Sequence, residues 1–239
     1  MRILIVSDLH GNYDAVNALR EPFDELWVLG DLVNYGPQPR EVIAWARVHA
    51  SQVVRGNHDH AIGFDLDPRC SPRFREMAAE TARFTAAVLQ PDEKEFLRQL
   101  PLHREIRAAG TTFCLLHAIP SEPLFGYCEA DSPQWKREVR NAAAEVILVG
   151  HTHMPAIRRV GSKLVINPGS LGQPKIGRPE ACYAVWEDGQ ADLKSCPYPY
   201  ESTIRKVQAL PIPRSVRDDL ALVLRTGSVS DVQAIERSL

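Results

Sequence analysis

Two β-sheets packed face to face and flanked by helices, an α/β fold, are predicted here by two observations. In the first half of the chain, short runs of β-type apolar residues alternate with helical stretches, the pattern of βαβ units and hence of a parallel sheet. Beyond Pro155, short strands follow one another without helices between them and with Gly-rich turns, which implies an antiparallel second sheet.

The first strand is Ile3-Leu4-Ile5-Val6, and a crossover helix is expected over Tyr13 to Arg20. Leu26 to Leu29 and Val53-Val54 give the next strands, with a second helix from Pro39 to Ala50. From Asp59 to Leu100 the β runs stop. Ser71-Pro72 offers an N-cap followed by an N1 proline, and Asp92 with Glu95 offers a capping box. Residues 60–100 therefore read as a helical insertion, placed either to cover a site or to pack on the sheet. Phe113 to Leu116 is a strand, Ser132-Pro133 begins a helix, and Val146 to Val149 is a strand again. Ala156 to Val160, Leu164 to Asn167, Ala181 to Trp186, Ala191 to Cys196 and Ser202 to Val207 are the late strands. Beyond the Pro211-Ile212-Pro213 break, Ser215 to Arg225 and Val229 to Leu239 form a helical tail. The expected division is a catalytic domain over 1–210 and a tail over 211–239.

Composition narrows the function. Apolar residues at 44% and charged ones at 24% exclude extended disorder. A net charge of −2 gives no long-range drive toward nucleic acid or anionic membrane, so any preference for phosphate has to be local. The apolar run at the start is too short for a signal peptide or a membrane span, and a cytoplasmic chain with no membrane partner is expected. The cysteines Cys70, Cys114, Cys128, Cys182 and Cys196 are odd in number with no C-x-x-C pair, which argues against a disulfide framework and against a thiolate zinc site.

Each of five β runs ends in metal-type ligands: Asp8-Leu9-His10, Gly30-Asp31, Gly56-Asn57-His58-Asp59, His117, and Gly150-His151-Thr152-His153. In an open α/β sheet the ends of parallel strands converge on one edge, so these loops meet in space. Residues two apart on an extended chain share a face, which lets Asp8 with His10, and His151 with His153, reach one small volume. Carboxylate, imidazole and amide oxygen without thiolate suit manganese, iron, cobalt, nickel or zinc.

The five motifs, in this order, resemble the calcineurin-like metallophosphoesterase superfamily, and within it the small bacterial and archaeal phosphodiesterases. The resemblance spans roughly residues 2–190 and implies a four-layer αββα sandwich with two divalent ions, manganese first among them. It implies that Asp8, His10, Asp31 and His153 hold one ion, and that Asp31 bridges to a second held by Asn57, His117 and His151. His117 is followed by Ala118 where many members have Gly. Two such ions make hydroxide from a bridging water near neutral pH, and His58 is expected to protonate the leaving oxygen as an imidazolium.

Departures from the pattern bear on substrate. Protein phosphatases of the superfamily read G-D-x-V-D-R-G, whereas this chain reads Gly30-Asp31-Leu32-Val33-Asn34-Tyr35-Gly36. Asn34 replaces the Asp that orients the catalytic His, and Tyr35 replaces an Arg that forks onto phosphate. A lost guanidinium weakens binding of a dianionic monoester more than of a monoanionic diester, which favours a phosphodiesterase. Arg178 is a third substrate-binding candidate; Lys175, Phe125, Tyr127 and the turn Asn167-Pro168-Gly169-Ser170 stand behind it. The alternatives are a nucleotide or dinucleoside polyphosphate hydrolase, a protein Ser/Thr phosphatase, and a non-catalytic scaffold like the retromer subunit of this fold. A complete ligand set favours catalysis. No basic stripe with interleaved aromatics marks a nucleic-acid track, so the expected partner is a small phosphoester, nucleotides included.

Overall fold

The computed structural model of the chain describes residues 1–70 and 74–228. Among these the elements run β1 (Ile3–Val6), α1 (Tyr13–Val16), β2 (Glu25–Val28), α2 (Pro39–His49), β3 (Gln52–Val53), α3 (Asn57–Phe64), α4 (Arg75–Val88), α5 (Pro91–Gln99), β4 (His103–Ala108), β5 (Thr111–Leu116), α6 (Trp135–Glu138), β6 (Val146–Leu148), β7 (Ala156–Val160), β8 (Lys163–Asn167), β9 (Glu180–Glu187), β10 (Gln190–Pro197), α7 (Tyr200–Gln208) and α8 (Arg214–Thr226).

Both sheets are mixed. The first has the order β10-β9-β1-β2-β3, with β1, β2 and β3 parallel and β9 antiparallel to β1. The second has the order β4-β5-β6-β8-β7, with β5, β6 and β8 parallel and antiparallel edges β4 and β7. The antiparallel second sheet expected of the late strands is therefore not formed; they are divided between the two mixed sheets. One hairpin, β7 and β8, extends the second sheet, while the other, β9 and β10, completes the first.

Alternation along β1 shows why its apolar run is continuous. Ile3 and Ile5 face the second sheet and pack with Trp27, Phe113, Leu148 and Trp186, whereas Leu4 and Val6 face the helices with Val42, Ile43 and Leu97. A strand buried on both faces has no polar side. Between the sheets Phe113 stands edge-on to both Trp27 and Trp186, at centroid distances of 5.0 and 5.1 Å. On the far face of the second sheet, Ile147, Val149 and Val165 pack with Trp135 and Val139. Helix, sheet, sheet, helix is the four-layer αββα sandwich.

Several local expectations change. Ser202 to Val207 is helix, not strand: within α7, Thr203, Ile204 and Val207 are buried, and this i, i+1, i+4 spacing makes one helical face. Their β-branching resembles a strand, but packing against α8 outweighs a weak preference. The insertion begins at Asn57 rather than residue 60, and Asp59 Oδ2 accepts from Gly56 N at 3.0 Å to cap it. In α5 the capping carboxylate is Glu93, which accepts from Gln90 N at 2.7 Å, with Pro91 at N1; Glu95 instead pairs with Arg98. Only Tyr13–Val16 of the first crossover is α-helical. Strand β4, with its exposed His103, Arg104, Glu105 and Arg107, lacks an apolar run and is legible only through its pairing with β5. The Ser71-Pro72 cap and the 229–239 helix lie outside the described residues.

Candidate metal centre

Strands β1, β2, β3, β5 and β6 each deliver one of the five motifs to the same edge of the sandwich. The chain does not stay extended there. Asp8, His10, Asp31, His151 and His153 have φ between 44° and 65°, in the left-handed region, as do Asn34 and Tyr35 at 74° and 60°. Asp8 meets His10 through these turns and not through strand alternation, whereas His151 and His153 are sent to different partners. Each such non-Gly residue costs on the order of 1–3 kcal/mol, and such strain clusters where geometry serves function.

Two donor groups result. In the first, Asp8 Oδ1 lies 3.3 Å from His153 Nε2 and 3.8 Å from His10 Nε2, and the two imidazole nitrogens are 3.1 Å apart. In the second, Asn57 Oδ1 lies 3.1 Å from both His117 Nε2 and His151 Nδ1. Asp31 stands between them, its Oδ2 at 3.2 Å from His117 Nε2 and 3.9 Å from His10 Nε2. Its Oδ1 accepts from His58 N at 2.9 Å, at the N-terminus of α3.

The partners behind the ligands fix their orientation. The Nδ1 atoms of His10, His117 and His153 face the carbonyls of Val33, Leu29 and Gln173 at 3.2, 2.8 and 2.8 Å. A carbonyl only accepts, so each Nδ1 donates, and each ring when neutral turns an Nε2 lone pair into the site. Asn57 Nδ2 donates to Pro68 O at 2.9 Å, which turns its oxygen inward. Asn167 Nδ2 donates to Gly150 O and Ser170 Oγ to Asp8 O, both at 2.7 Å, so the Asn167-Pro168-Gly169-Ser170 turn braces two ligand loops.

Glycine lets these loops approach. A Cβ on Gly150 would sit 1.9 Å from Ser7 Oγ and 2.8 Å from Asp8 Oδ2; one on Gly56 would sit 2.0 Å from Asp31 Oδ1. Gly150→Ala should therefore cost about 1–3 kcal/mol by overpacking and displace Asp8. The check is a thermal melt beside metal analysis; a variant with unchanged Tm and full metal content would show that the loops yield freely.

The donor set fits divalent cations. His10 and His153 point lone pairs at each other, and the buried Asp8 Oδ1 has no hydrogen-bond partner. Burial pushes the Asp8 carboxyl up to about 6 and holds His10 and His151 down at about 3. Among the site histidines His117 alone is raised: burial opposes its charge, but Asp31 and Asp8 outweigh that and hold it at about 9. Without a metal, a proton on His117 supplies the positive charge that Asn57 Oδ1 and Asp31 Oδ2 converge on.

Around the centre lies a cavity of about 600 Å³, lined among others by Asp31, His58, Tyr35, Arg69, Phe125 and Lys175. His58 is buried, and burial holds its pKa down at about 4, so the ring is neutral near pH 7. Asn34 Nδ2 donates to His58 Nδ1 at 2.7 Å, and the Asn34 amide is oriented by Ala78 O and Thr85 Oγ1, both at 3.4 Å. The proton of His58 therefore sits on Nε2, which lies 3.5 Å from Cys70 Sγ. Tyr35 is also buried, with its ring 4.8 Å from that of His58. Tyr127 lines the cavity too. Arg178 does not: it is exposed and pairs with Glu180 at 2.7 Å, while Lys175, three residues earlier, faces the cavity.

A family profile described as the calcineurin-like phosphoesterase superfamily domain matches residues 1–189. The chain belongs to this superfamily. Among its calcineurin-like relatives, an uncharacterized protein of Methanocaldococcus jannaschii is 27% identical over 92% of this chain and 97% of its own length. A symmetrical bis(5'-nucleosyl)-tetraphosphatase of Psychromonas ingrahamii is 30% identical over 61% of this chain; the match spans about half, 50%, of that enzyme. The crystal structure of a metallophosphoesterase from Sphaerobacter thermophilus superposes with a TM-score of 0.78 at 29% identity, covering 92% of this chain and 98% of that one. A hypothetical protein of Pyrococcus horikoshii shares the fold at a TM-score of 0.82 and 20% identity over 95% of this chain and 98% of its own. This calcineurin-like chain is a metal-binding phosphoester hydrolase. Among the described residues, no helix is long and apolar enough to cross a membrane. The motifs did not mark Arg69 or Cys70, since single residues in a loop between two helices carry no sequence signal of their own.

Proposed function

We propose that this chain is a dinuclear metal-dependent phosphodiesterase. Asp8, His10, Asp31 and His153 hold one ion, and Asp31, Asn57, His117 and His151 hold the other, with manganese the first choice for an oxygen- and imidazole-rich set. The position of Asp31 Oδ2 between His10 and His117 carries this reading, because one carboxylate reaches both donor groups. When bound, the ions supply Lewis acidity and activate water at phosphorus near neutral pH.

The chain's own part is donation and positioning. His58 directs its Nε2–H at the leaving oxygen and stabilises the negative charge that develops there as the P–O bond breaks, as the neutral tautomer that Asn34 selects and not as the imidazolium expected from sequence. Preference for a diester follows from Tyr35. Where a guanidinium would fork onto a dianion, a buried phenol offers a neutral ring and one hydroxyl.

The test is to strip the protein with a chelator, restore single metals, and compare bis(p-nitrophenyl) phosphate with p-nitrophenyl phosphate. Two metal equivalents and a kcat/KM at least tenfold higher for the diester are expected. A preference for the monoester overturns the diester reading. A protein that takes up no metal and cleaves neither ester is a scaffold.

A further inference from the structure

The family profile ends at residue 189, yet the cavity leans on the chain that follows it. Tyr35, Cys70 and Phe74 line the cavity, and all three pack into the apolar cluster that Ile204 and Val207 of α7 form with α8. The helical pair therefore backs one side of the site.

Its end reaches a second wall. Helix α8 stops at Gly227, whose φ of 59° is a left-handed turn that glycine takes at little cost. Gly227 O accepts from Gly177 N at 2.7 Å. The two backbones meet with no room for a side chain, since a Cβ on Gly227 would lie 2.1 Å from Arg178 O and 2.6 Å from Arg178 N. Gly177 and Arg178 belong to the loop between β8 and β9 that brings Lys175 to the cavity.

Lys175 is thus tied to the helical pair in two ways. One runs through its own loop to Gly227, and the other through Phe74, from whose ring centroid Nζ lies 5.0 Å. On the cavity side its charge reaches the first donor group: burial first, and Lys175 next, hold the His153 imidazole well below the usual histidine range. An ammonium is a compact point charge on a flexible stem, so the backbone beneath it decides which atoms it can reach. A phosphodiester carries one negative charge over two non-bridging oxygens, and a single charge-assisted hydrogen bond from such a group suits it.

We propose that Lys175 binds a non-bridging phosphoryl oxygen of the substrate and that Gly227 is the positioning residue that holds its loop in place, so that the helical pair beyond the family domain is part of the active site. The proposal rests on the phosphodiesterase reading for its choice of substrate.

The experiment compares wild type, Lys175→Gln, Gly227→Ala and the double variant, each loaded with manganese, on bis(p-nitrophenyl) phosphate. Calorimetric binding of inorganic phosphate supplies a second readout. Lys175→Gln should lose at least tenfold in kcat/KM, mainly through KM, and bind phosphate at least tenfold more weakly. Gly227→Ala should move both in the same direction by at least threefold at unchanged metal content. The double variant should be no worse than Lys175→Gln alone, because residues that act through one contact are not additive. A merely structural Gly227 lowers Tm while KM and phosphate affinity stay as in wild type, or adds its effect in full to that of Lys175→Gln; either result overturns the proposal. So does a Lys175→Gln variant that binds substrate and phosphate as wild type does. Should Gly227→Ala fail to fold, Gly227→Asn takes its place in the same cycle, since asparagine tolerates the left-handed turn and isolates the close approach. Failure of the diesterase reading looks different: wild type then prefers the monoester or cleaves neither, and the ratios of phosphate affinity still decide the roles of Lys175 and Gly227.

Discussion

Asp31→Asn is expected to lower bound metal from two ions to one or none and to reduce kcat by at least about a thousandfold, since ion-derived stabilisation is worth several kcal/mol and each 1.4 kcal/mol is tenfold. The amide keeps the shape, and its oxygen still accepts from His58 N, so the fold should survive. What disappears is the charge that reaches both His10 and His117. Asp8→Asn, whose Oδ1 faces His10 and His153, should weaken the first ion more than the second. Elemental analysis beside kcat makes the check; two ions and more than a tenth of the wild-type rate in Asp31→Asn would refute the shared carboxylate. The metal-free protein gives an independent sign. His117 is raised in the fold to about 9, so its pairing with Asp31 contributes full stability below the ordinary histidine value and loses it as pH rises through about 9. In Asp31→Asn that alkaline loss should be weaker.

His58→Ala should cost about 10²–10⁴ in kcat with metal content intact, because no metal contact depends on its ring in the proposed arrangement. Its pH behaviour separates the tautomer reading from the imidazolium one. With its pKa held near 4 by burial, His58 stays neutral from pH 6 to 8, and kcat/KM should show no alkaline loss from this group in that window. Asn34→Asp places an acceptor where Nδ2 now donates, which moves the proton to Nδ1 and raises the His58 pKa. Activity then depends on the imidazolium and falls as pH rises through the new value. Identical flat profiles in wild type and Asn34→Asp would show that Asn34 does not select the tautomer.

Much of this was legible in sequence because the centre is written at strand ends. Asp8, Asp31, Asn57, His117 and His151 each follow a β run, and parallel strands leave few places for those ends to go. The left-handed turns at Asp8, His10, His151 and His153 were not legible, since the spacing of two suits an extended chain equally well. The division of the late hairpins between sheets depends on which edge is open, and no pattern within β7 to β10 records it. Helix α7 reads as a strand because Thr203, Ile204 and Val207 have β-branched side chains, whose helical spacing matters only once α8 covers Ile204 and Val207 and the Thr203 hydroxyl donates to Asn12 and Asp14. Charge and loop position do not separate Arg178 from Lys175 in the sequence; the ion pair with Glu180 holds Arg178 away from the cavity that Lys175 lines.

The position of β1 also sets an order of assembly. Ile3 pairs with both Glu25 and Trp186, so the first strand to be synthesised waits, with one edge open, for one of the last. The Asp8 loop waits too, since Leu171 N and Gly172 N donate to the carbonyls of Ser7 and Asp8 at 2.9 and 3.0 Å. Pairing across such separations is slow to form. A growing chain therefore exposes scattered Asp and His side chains long before it presents a coordination geometry, and the choice among divalent ions is made by the finished protein, not by the nascent one.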